Sequence, residues 1–353
     1  MQQIKSNIRP KSLNNKRLKI GILILLGFII AIGCLCGYIC SRKTTNKQDI
    51  ALYIYPTDDC NKVKETLITN NVISSSNTTF TTFAKALKYT NNIKAGHYVI
   101  KPNTPIIKLI RNLRSGNQQP IKLVITNART SDEFAEKVCK NLMITTDDLR
   151  KEIDNQKFNH NNELFEYIIP NTYEVYWTIG AEDLLKKLKK ESDKFWKKHQ
   201  KNLKHTGLSQ KEVIILASIV EEETNKTDEK PIVAGVYINR LNKNMLLQAD
   251  PTIKFALGDF SIRRVLGKYL QIESPFNTYK ILGLPPAPIC LPSVSSITSV
   301  LQYEHHNYIY FCAREDFSGY HNFAVTLNEH LQNAKRYHKA LNKKNTMDVQ
   351  SCK

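Results

Sequence analysis

Three consecutive glutamates, at positions 221–223, end a stretch whose sequence predicts a helix. The stretch opens with a capping box, Ser209-Gln-Lys-Glu212, and its apolar residues recur at the spacing of one helical face. At about 100° per residue, Glu222 falls opposite that face, whereas Glu221 and Glu223 fall on its two flanks.

A carboxyl group on such a flank, at the end of a helix, can be a general acid. Burial, the negative end of the helix dipole and neighbouring carboxylates all disfavour its anion and so raise its pKa. A raised pKa keeps the proton in place near neutral pH, as proton donation to a leaving group requires. The alternative is an acidic helix end neutralised by nearby Lys or Arg. The helical placement does not decide between Glu221 and Glu223.

Polar side chains on stiff loops follow the acidic helix. The helix predicted at 233–241 carries Asn239 and Arg240 on its polar side, and the turn at 247–252 is also polar. Two proline-containing loops come next, at 275–279 and 283–289, and proline holds such segments in place at low entropic cost. Their amides, hydroxyls and aromatic ring suit sugar hydroxyls and N-acetyl groups, although each loop is also compatible with an ordinary turn. The candidates for contacting a glycan or orienting the acid are Gln248, Asp250, Asn277 and Tyr279.

Several sequence blocks in this region occur in an order and spacing that identify a family. They are ASIVEEET at 217–224, VYINRL at 236–241, LQADPT at 247–252, NTY at 277–279 and GLPP at 283–286. Further blocks are AGHY at 95–98, PNTY at 170–173 and FAVTLNEH at 323–330. Together with an apolar N-terminal segment, they resemble the endolytic murein transglycosylase family (MltG/YceG-like) over nearly the whole chain.

This resemblance implies a lytic transglycosylase that cuts β-1,4 bonds between N-acetylmuramic acid (MurNAc) and N-acetylglucosamine (GlcNAc) in nascent peptidoglycan. It implies 1,6-anhydro-MurNAc ends and the termination of glycan elongation. The family's catalytic glutamate is the second Glu of a Glu-x-Glu-Thr block, which falls on Glu223. Glu222 occupies the x position, where relatives commonly have a basic residue. The implied partners are peptidoglycan strands and synthases of the elongation or division machinery, and no metal or cofactor is expected.

Two other functions are compatible with the same residues. A lysozyme-like peptidoglycan hydrolase needs a second carboxylate about 5–9.5 Å from the acid, and Glu221 and Asp250 are the nearby candidates in sequence. A non-catalytic scaffold that binds the cell wall would need no acid at all.

The N-terminal segment 20–40 is an uncharged run rich in Ile, Leu, Phe and Gly. As a helix it would be about 30 Å long, the thickness of a hydrocarbon core. Six Lys/Arg precede it and no acid does, so the positive-inside rule places residues 1–19 in the cytoplasm and the remainder outside the inner membrane. A cleaved signal peptide is the alternative, but its apolar region would be shorter and end in small residues.

The rest of the chain divides into two predicted domains. A linker at 41–49 leads to a β-α-α-β-α module at 50–118, which resembles the family's LysM-like α/β subdomain. Its helices are predicted at 60–69, 83–89 and 104–115, the tract 74–82 is a loop or the start of a helix, and Gly116 is the predicted C-cap of the last helix. A larger mixed α+β catalytic domain is predicted at 119–345, with a polar loop at 156–163, followed by a tail at 346–353. Helices mixed with scattered strands, without regular alternation, predict the α+β class.

The net charge of +19 does not by itself indicate a nucleic-acid partner. Eight Lys/Arg lie within residues 1–43, and the remaining +11 (19 − 8) is spread over segments such as 184–204 that look like solvated helix faces. No zinc-finger spacing, RNP-like motif or Walker loop occurs. Outside the apolar segment the five cysteines have no metal-ligand spacing; a bridge between Cys290 and Cys312 is conceivable, but single buried thiols are favoured.

Overall fold

The computed structural model describes residues 15–75, 78–262 and 264–351. The chain divides into two compact units, Met1–Pro120 and Ile121–Lys353. Each combines helices with small antiparallel sheets, so the predicted α+β class is confirmed. Of the predicted cytoplasmic segment and tail, residues 1–14 and 352–353 lie outside the described residues.

Helix α1 (Asn15–Cys40) contains the predicted membrane span. Its large apolar side chains are exposed, and Leu23 and Ile24 each retain 68% of their accessible surface. Within residues 15–75, 78–262 and 264–351, no helix combines the length and apolar character needed to cross a membrane. The side chains at 35, 36 and 39, inside the predicted span, lie outside the described ones. The membrane span therefore stays a prediction.

The first unit pairs strand β1 (Ile50–Ile54) antiparallel with β2 (Gly96–Ile100). Its other helices are α2 (Cys60–Thr69), α3 (Thr78–Ala86) and α4 (Ile106–Ser115). Helix α4 ends at Gly116, as predicted, in the left-handed conformation (φ 71°) that glycine adopts without a steric penalty. Helix α3 begins at Thr78, inside the tract 74–82 that was predicted to be a loop or the start of a helix, and it ends at Ala86 rather than at Tyr89. Phe80 and Ala84 share its buried face.

The first part of the second unit forms its own small core. Strand β3 (Ile121–Val124) pairs antiparallel with β4 (Thr172–Val175). Helices α5 (Ser131–Cys139), α6 (Thr146–Asn155) and α7 (Ala181–Thr206) pack with them. A short 3-10 helix, Asn161–Tyr167, overlaps the end of the segment 156–163 that was predicted to be loop.

Helix α8 (Gln210–Glu223) is the centre of the remaining part. Around it lie α9 (Lys230–Asn242), α10 (Asp250–Leu257) and α11 (Val294–Leu301). All eight residues from Val213 to Val220 are buried. The prediction of a single apolar face was therefore too narrow, because neighbouring elements cover α8 on every side along these two turns.

The chain ends with a hairpin and a long helix. Strands β5 (Tyr310–Ala313) and β6 (His321–Ala324) pair antiparallel, with Tyr310 opposite Ala324. Helix α12 (Leu327–Ser351) follows and packs on both strands. Cys290 is a buried free thiol and Cys312 a half-buried one, so this pair forms no disulfide.

Candidate active site

A polar cavity of about 360 Å³ lies at the C-terminal end of α8. Its walls come from α8, α9, the start of α10, the loop before α11, the β5–β6 hairpin and α12. The lining residues are Glu223, Tyr237, Arg240, Leu247, Gln248, Asp250, Tyr279, Phe311, Cys312, Ala313, His321 and His330. Most of the predicted site residues therefore meet in one place, although they are separated by up to 56 positions in sequence.

Glu223, the last residue of α8, points its carboxyl group into this cavity. Burial raises its pKa to about 7, and the negative charge of Asp250 acts in the same direction. The hydroxyl of Tyr237 donates a 2.6 Å hydrogen bond to Oε1, which favours the anion and limits the rise. The carboxyl therefore carries its proton through a substantial fraction of the neutral pH range, which suits a general acid.

Glu221 has the opposite electrostatic character. Its Oε2 accepts hydrogen bonds from the hydroxyls of Ser293 and Ser296, both at 2.5 Å, and from the Lys230 ammonium at 3.0 Å. Burial acts to raise its pKa, but these three donors outweigh that effect and hold the pKa below its usual value. Glu221 is thus the neutralised helix end that the sequence offered as an alternative, and it ties α8 to α11. Glu222 is exposed, as its helical position predicted.

Asp250 and Tyr279 form a hydrogen-bonded pair on another wall of the cavity. The Tyr279 hydroxyl donates to Asp250 Oδ1 at 2.5 Å. Burial and this carboxylate raise the pKa of Tyr279, so the phenol stays protonated. The pair offers oxygen atoms to a ligand, and its charge acts on Glu223.

Gln248 occupies a backbone position that few residues other than glycine adopt, with φ 51°. Its amide N–H donates to Thr278 O at 3.0 Å, and Arg240 Nη1 donates to its side-chain Oε1 at 3.3 Å. Arg240 Nη1 also donates to the carbonyl of Leu247, at 2.9 Å. This clamp overcomes the backbone strain and fixes the loop that presents Gln248 to the cavity.

Asn277, the remaining predicted site residue, is fully buried and does not line the cavity. Its amide nitrogen donates to the carbonyls of Leu270 and Ile272, at 2.9 and 2.8 Å. Its oxygen accepts the backbone N–H of Tyr279 at 3.0 Å. Because every polar atom of this side chain is engaged, the expected direct glycan contact does not fit Asn277; its place in the structure is to position Tyr279.

The model of the YceG-like family matches residues 52–336. The chain belongs to this family. The family resemblance predicted from the sequence blocks is therefore confirmed.

Individual relatives of this YceG-like chain agree with the family match. The endolytic murein transglycosylase of Bacillus subtilis (strain 168) is 29% identical over 322 residues, covering 85% of this chain and 88% of that protein. The endolytic murein transglycosylase of Streptococcus pneumoniae (strain D39) is 27% identical over 269 residues, covering 66% of this chain and 49% of that protein. The chain thus matches about half the length of the streptococcal relative.

Among solved structures, the crystal structure of a YceG-like protein from Listeria monocytogenes is similar to this chain. It superposes with a TM-score of 0.50 and 28% sequence identity, and the match covers 81% of this chain and 99% of the other.

Sequence reasoning missed several residues that line the polar cavity, notably Tyr237, Phe311, His321 and His330. Tyr237 lies among apolar residues of α9, a pattern typical of core packing, and only 1% of it is exposed. The aromatic alternation at 308–311 was a possible signal for a strand there. His330 belongs to the block FAVTLNEH at 323–330, but nothing in its spacing pointed towards Glu223.

Proposed function

We propose that this chain is an endolytic murein transglycosylase and that Glu223 is its acid/base. The observation that carries the proposal is the Glu223 carboxyl, which lies in a polar cavity with its pKa raised to about 7. Relatives that bear this name match 85% and 66% of the chain, and the cavity residues lie within the matched family region.

One carboxyl group suffices for the proposed reaction. Protonated Glu223 donates its proton to the glycosidic oxygen, and the bond between that oxygen and C1 of MurNAc breaks. The 6-hydroxyl of the same MurNAc then attacks C1, and the Glu223 carboxylate accepts the hydroxyl proton. The products are a GlcNAc 4-hydroxyl and a 1,6-anhydro-MurNAc end, and Glu223 is protonated again. A pKa near 7 suits both roles, since the protonated and the ionised forms of Glu223 are then both populated at neutral pH.

A two-carboxylate hydrolase is the second candidate, and Asp250 is the observation that favours it, because it lines the same cavity as Glu223. Glu221, the other carboxylate considered from the sequence, already accepts hydrogen bonds from a lysine and two serines. In a hydrolase, Asp250 would activate a water molecule and the new ends would be reducing.

Mass analysis of digested glycan strands tests the proposal. Anhydro-muramoyl ends, one water lighter than reducing ends, are expected for the transglycosylase. Reducing ends would instead identify the hydrolase. Glu223→Gln protein should bind strands and release no product; if it cleaved as fast as the wild type, the assignment of Glu223 would be wrong. If neither protein cleaved and both bound strands, the chain would be a wall-binding scaffold.

We also propose that residues 20–40 anchor the chain in the inner membrane, with residues 1–19 in the cytoplasm and the catalytic unit on the outer side. The uncharged sequence, the basic residues before it and the exposed apolar side chains of α1 support this. In that position the enzyme would meet nascent strands and the synthases that make them. A reporter that is active only outside the membrane should be active when it is fused after residue 50 and when it is fused after residue 353. A reporter that is active only in the cytoplasm should be inactive at both positions, and its activity at either one would contradict the proposed topology.

A further inference from the structure

His321, the first residue of β6, is held by a buried carboxylate. Its ring Nδ1 lies 2.9 Å from Glu229 Oε2, and its backbone N–H donates to Glu229 Oε1 at 2.7 Å. The side chain of Glu229 is 4% exposed and that of His321 is 14% exposed. Both oxygens of the carboxylate are therefore used to fix the histidine, in backbone position and in ring orientation.

A short set of contacts connects this pair to the proposed acid. Thr224, the residue after Glu223, donates its hydroxyl to Glu229 Oε2 at 3.3 Å. The ring of Phe311 packs edge-on against both His321 (5.3 Å between centroids) and Tyr237 (5.9 Å). His321 and Glu223 accordingly line the same cavity.

The contact with Glu229 determines which nitrogen of the ring can bind a ligand. A carboxylate only accepts hydrogen bonds, so Nδ1 must carry the hydrogen, and in the neutral ring Nε2 carries a lone pair. Among the described residues, Nε2 of His321 has no hydrogen-bond partner, whereas the ring lines the cavity. The proposed reaction does not use this acceptor.

We infer that His321 is a substrate-binding residue, and that its Nε2 accepts a hydrogen bond from a hydroxyl or acetamido N–H of the glycan bound beside Glu223. Glu229 is the positioning residue that sets the tautomer and the ring orientation. The inference rests on the proposed function for the identity of the ligand. The competing explanation is purely structural: the pair would only fasten the β5–β6 hairpin to the start of α9.

Two substitutions of His321 in the full chain separate these explanations. His321→Asn places an amide nitrogen where Nδ1 lies, so it can still donate to Glu229, but it removes the acceptor at the Nε2 position. His321→Gln places an amide group near the Nε2 position and removes the donor to Glu229. His321→Asn thus loses only the acceptor at the Nε2 position, whereas His321→Gln loses only the donor at the Nδ1 position.

With peptidoglycan strands as substrate, His321→Asn should raise KM roughly fivefold to tenfold, the effect of one hydrogen bond, with kcat changed less than about twofold. Its Tm should stay near that of the wild type. His321→Gln should show the reverse: a Tm lower by about 2–4 °C, the shift expected for the loss of one hydrogen bond in a unit of this size, with KM closer to the wild type. An unchanged KM in His321→Asn would overturn the inference. A loss of activity that parallels the loss of Tm in both variants would overturn it as well.

Binding measured without catalysis keeps this test separate from that of the proposed function. The Glu223→Gln protein and a Glu223→Gln/His321→Asn protein are compared for affinity to purified glycan strands. Weaker binding by the double variant supports the role of His321 even if the wild type proved to be a scaffold or a hydrolase. Equal affinity refutes it even if the wild type makes anhydro ends, and a wild type that neither binds nor cleaves strands refutes both.

Discussion

Replacing Tyr237 with phenylalanine tests the electrostatic control of Glu223 directly. The Tyr237 hydroxyl donates to Glu223 Oε1 at 2.6 Å and so stabilises the carboxylate form. A hydrogen bond to a charged acceptor contributes about 1.5–3 kcal/mol, which corresponds to about one to two pKa units. Since burial already raises the pKa of Glu223 to about 7, Tyr237→Phe should raise it further, to about 8 or above.

The assay is the pH dependence of kcat/KM for strand cleavage, which reports the ionisation of the free enzyme. The wild-type activity should fall on the alkaline side with a midpoint near the Glu223 pKa of about 7, because the reaction begins with the protonated form. In Tyr237→Phe this midpoint should move to higher pH, and the activity at low pH should fall because the acid is weaker.

Tyr173→Phe is a matched control. Its hydroxyl is also buried but donates to the carbonyl of Ile169, outside the cavity, so the alkaline midpoint should not move. A midpoint in Tyr237→Phe that is unchanged, or shifted to lower pH, would show that Tyr237 does not stabilise the Glu223 anion.

Three further predictions concern stability and positioning. The pKa of Glu223 rises from 4.5 to about 7 on folding, so the free energy of unfolding of the wild type should decrease as pH increases from about 4.5 to 7. Glu223→Gln should be more stable than the wild type at pH 8 by up to about 3 kcal/mol, with no such gain at pH 4. Urea unfolding at the two pH values measures both differences. Glu221→Gln leaves the Lys230 ammonium buried without its counter-ion and should cost about 3 kcal/mol of stability in the same experiment, with glycan products of unchanged mass. Asn277→Ala removes the acceptor for the Tyr279 backbone N–H and should raise KM about fivefold, although Asn277 does not line the cavity. A KM equal to that of the wild type would contradict its positioning role.

Local signals predicted much of the secondary structure. Helix α2 has the predicted bounds, the capping box opens α8, and Gly116 ends α4. Such features depend on residues within one or two turns of each other, so a single sequence contains them. Predicted helix boundaries were wrong where tertiary packing determines the ends of the helix, as for α3.

The choice between Glu221 and Glu223 could not be made from the helix alone. Both lie on flanks of the same helix, and their different pKa values come from partners far away in sequence. Glu221 meets Ser293 and Ser296, about 70 residues later, whereas Glu223 meets Tyr237 on α9. Only the family block predicted which carboxyl would be the acid, and that role stays a prediction until cleavage is measured.

The polar loops were predicted more accurately as a group than residue by residue. Gln248, Asp250 and Tyr279 reach the cavity, whereas Asn277 is turned into the protein to hold the loop. An asparagine in a turn can serve either purpose, and its sequence neighbours are the same in both cases.

The far wall of the cavity comes late in the chain, from the hairpin at 310–324 and from His330. A chain interrupted before residue 310 would still contain Glu223 and its helix, but that carboxyl would meet water on the side where Phe311 and His321 now lie. The pKa of Glu223 would then lie closer to that of an ordinary glutamate, and little of its protonated form would remain at neutral pH. The protonated form of Glu223 at neutral pH therefore depends on the segment 310–330, so products that lack this segment are expected not to cleave glycan strands.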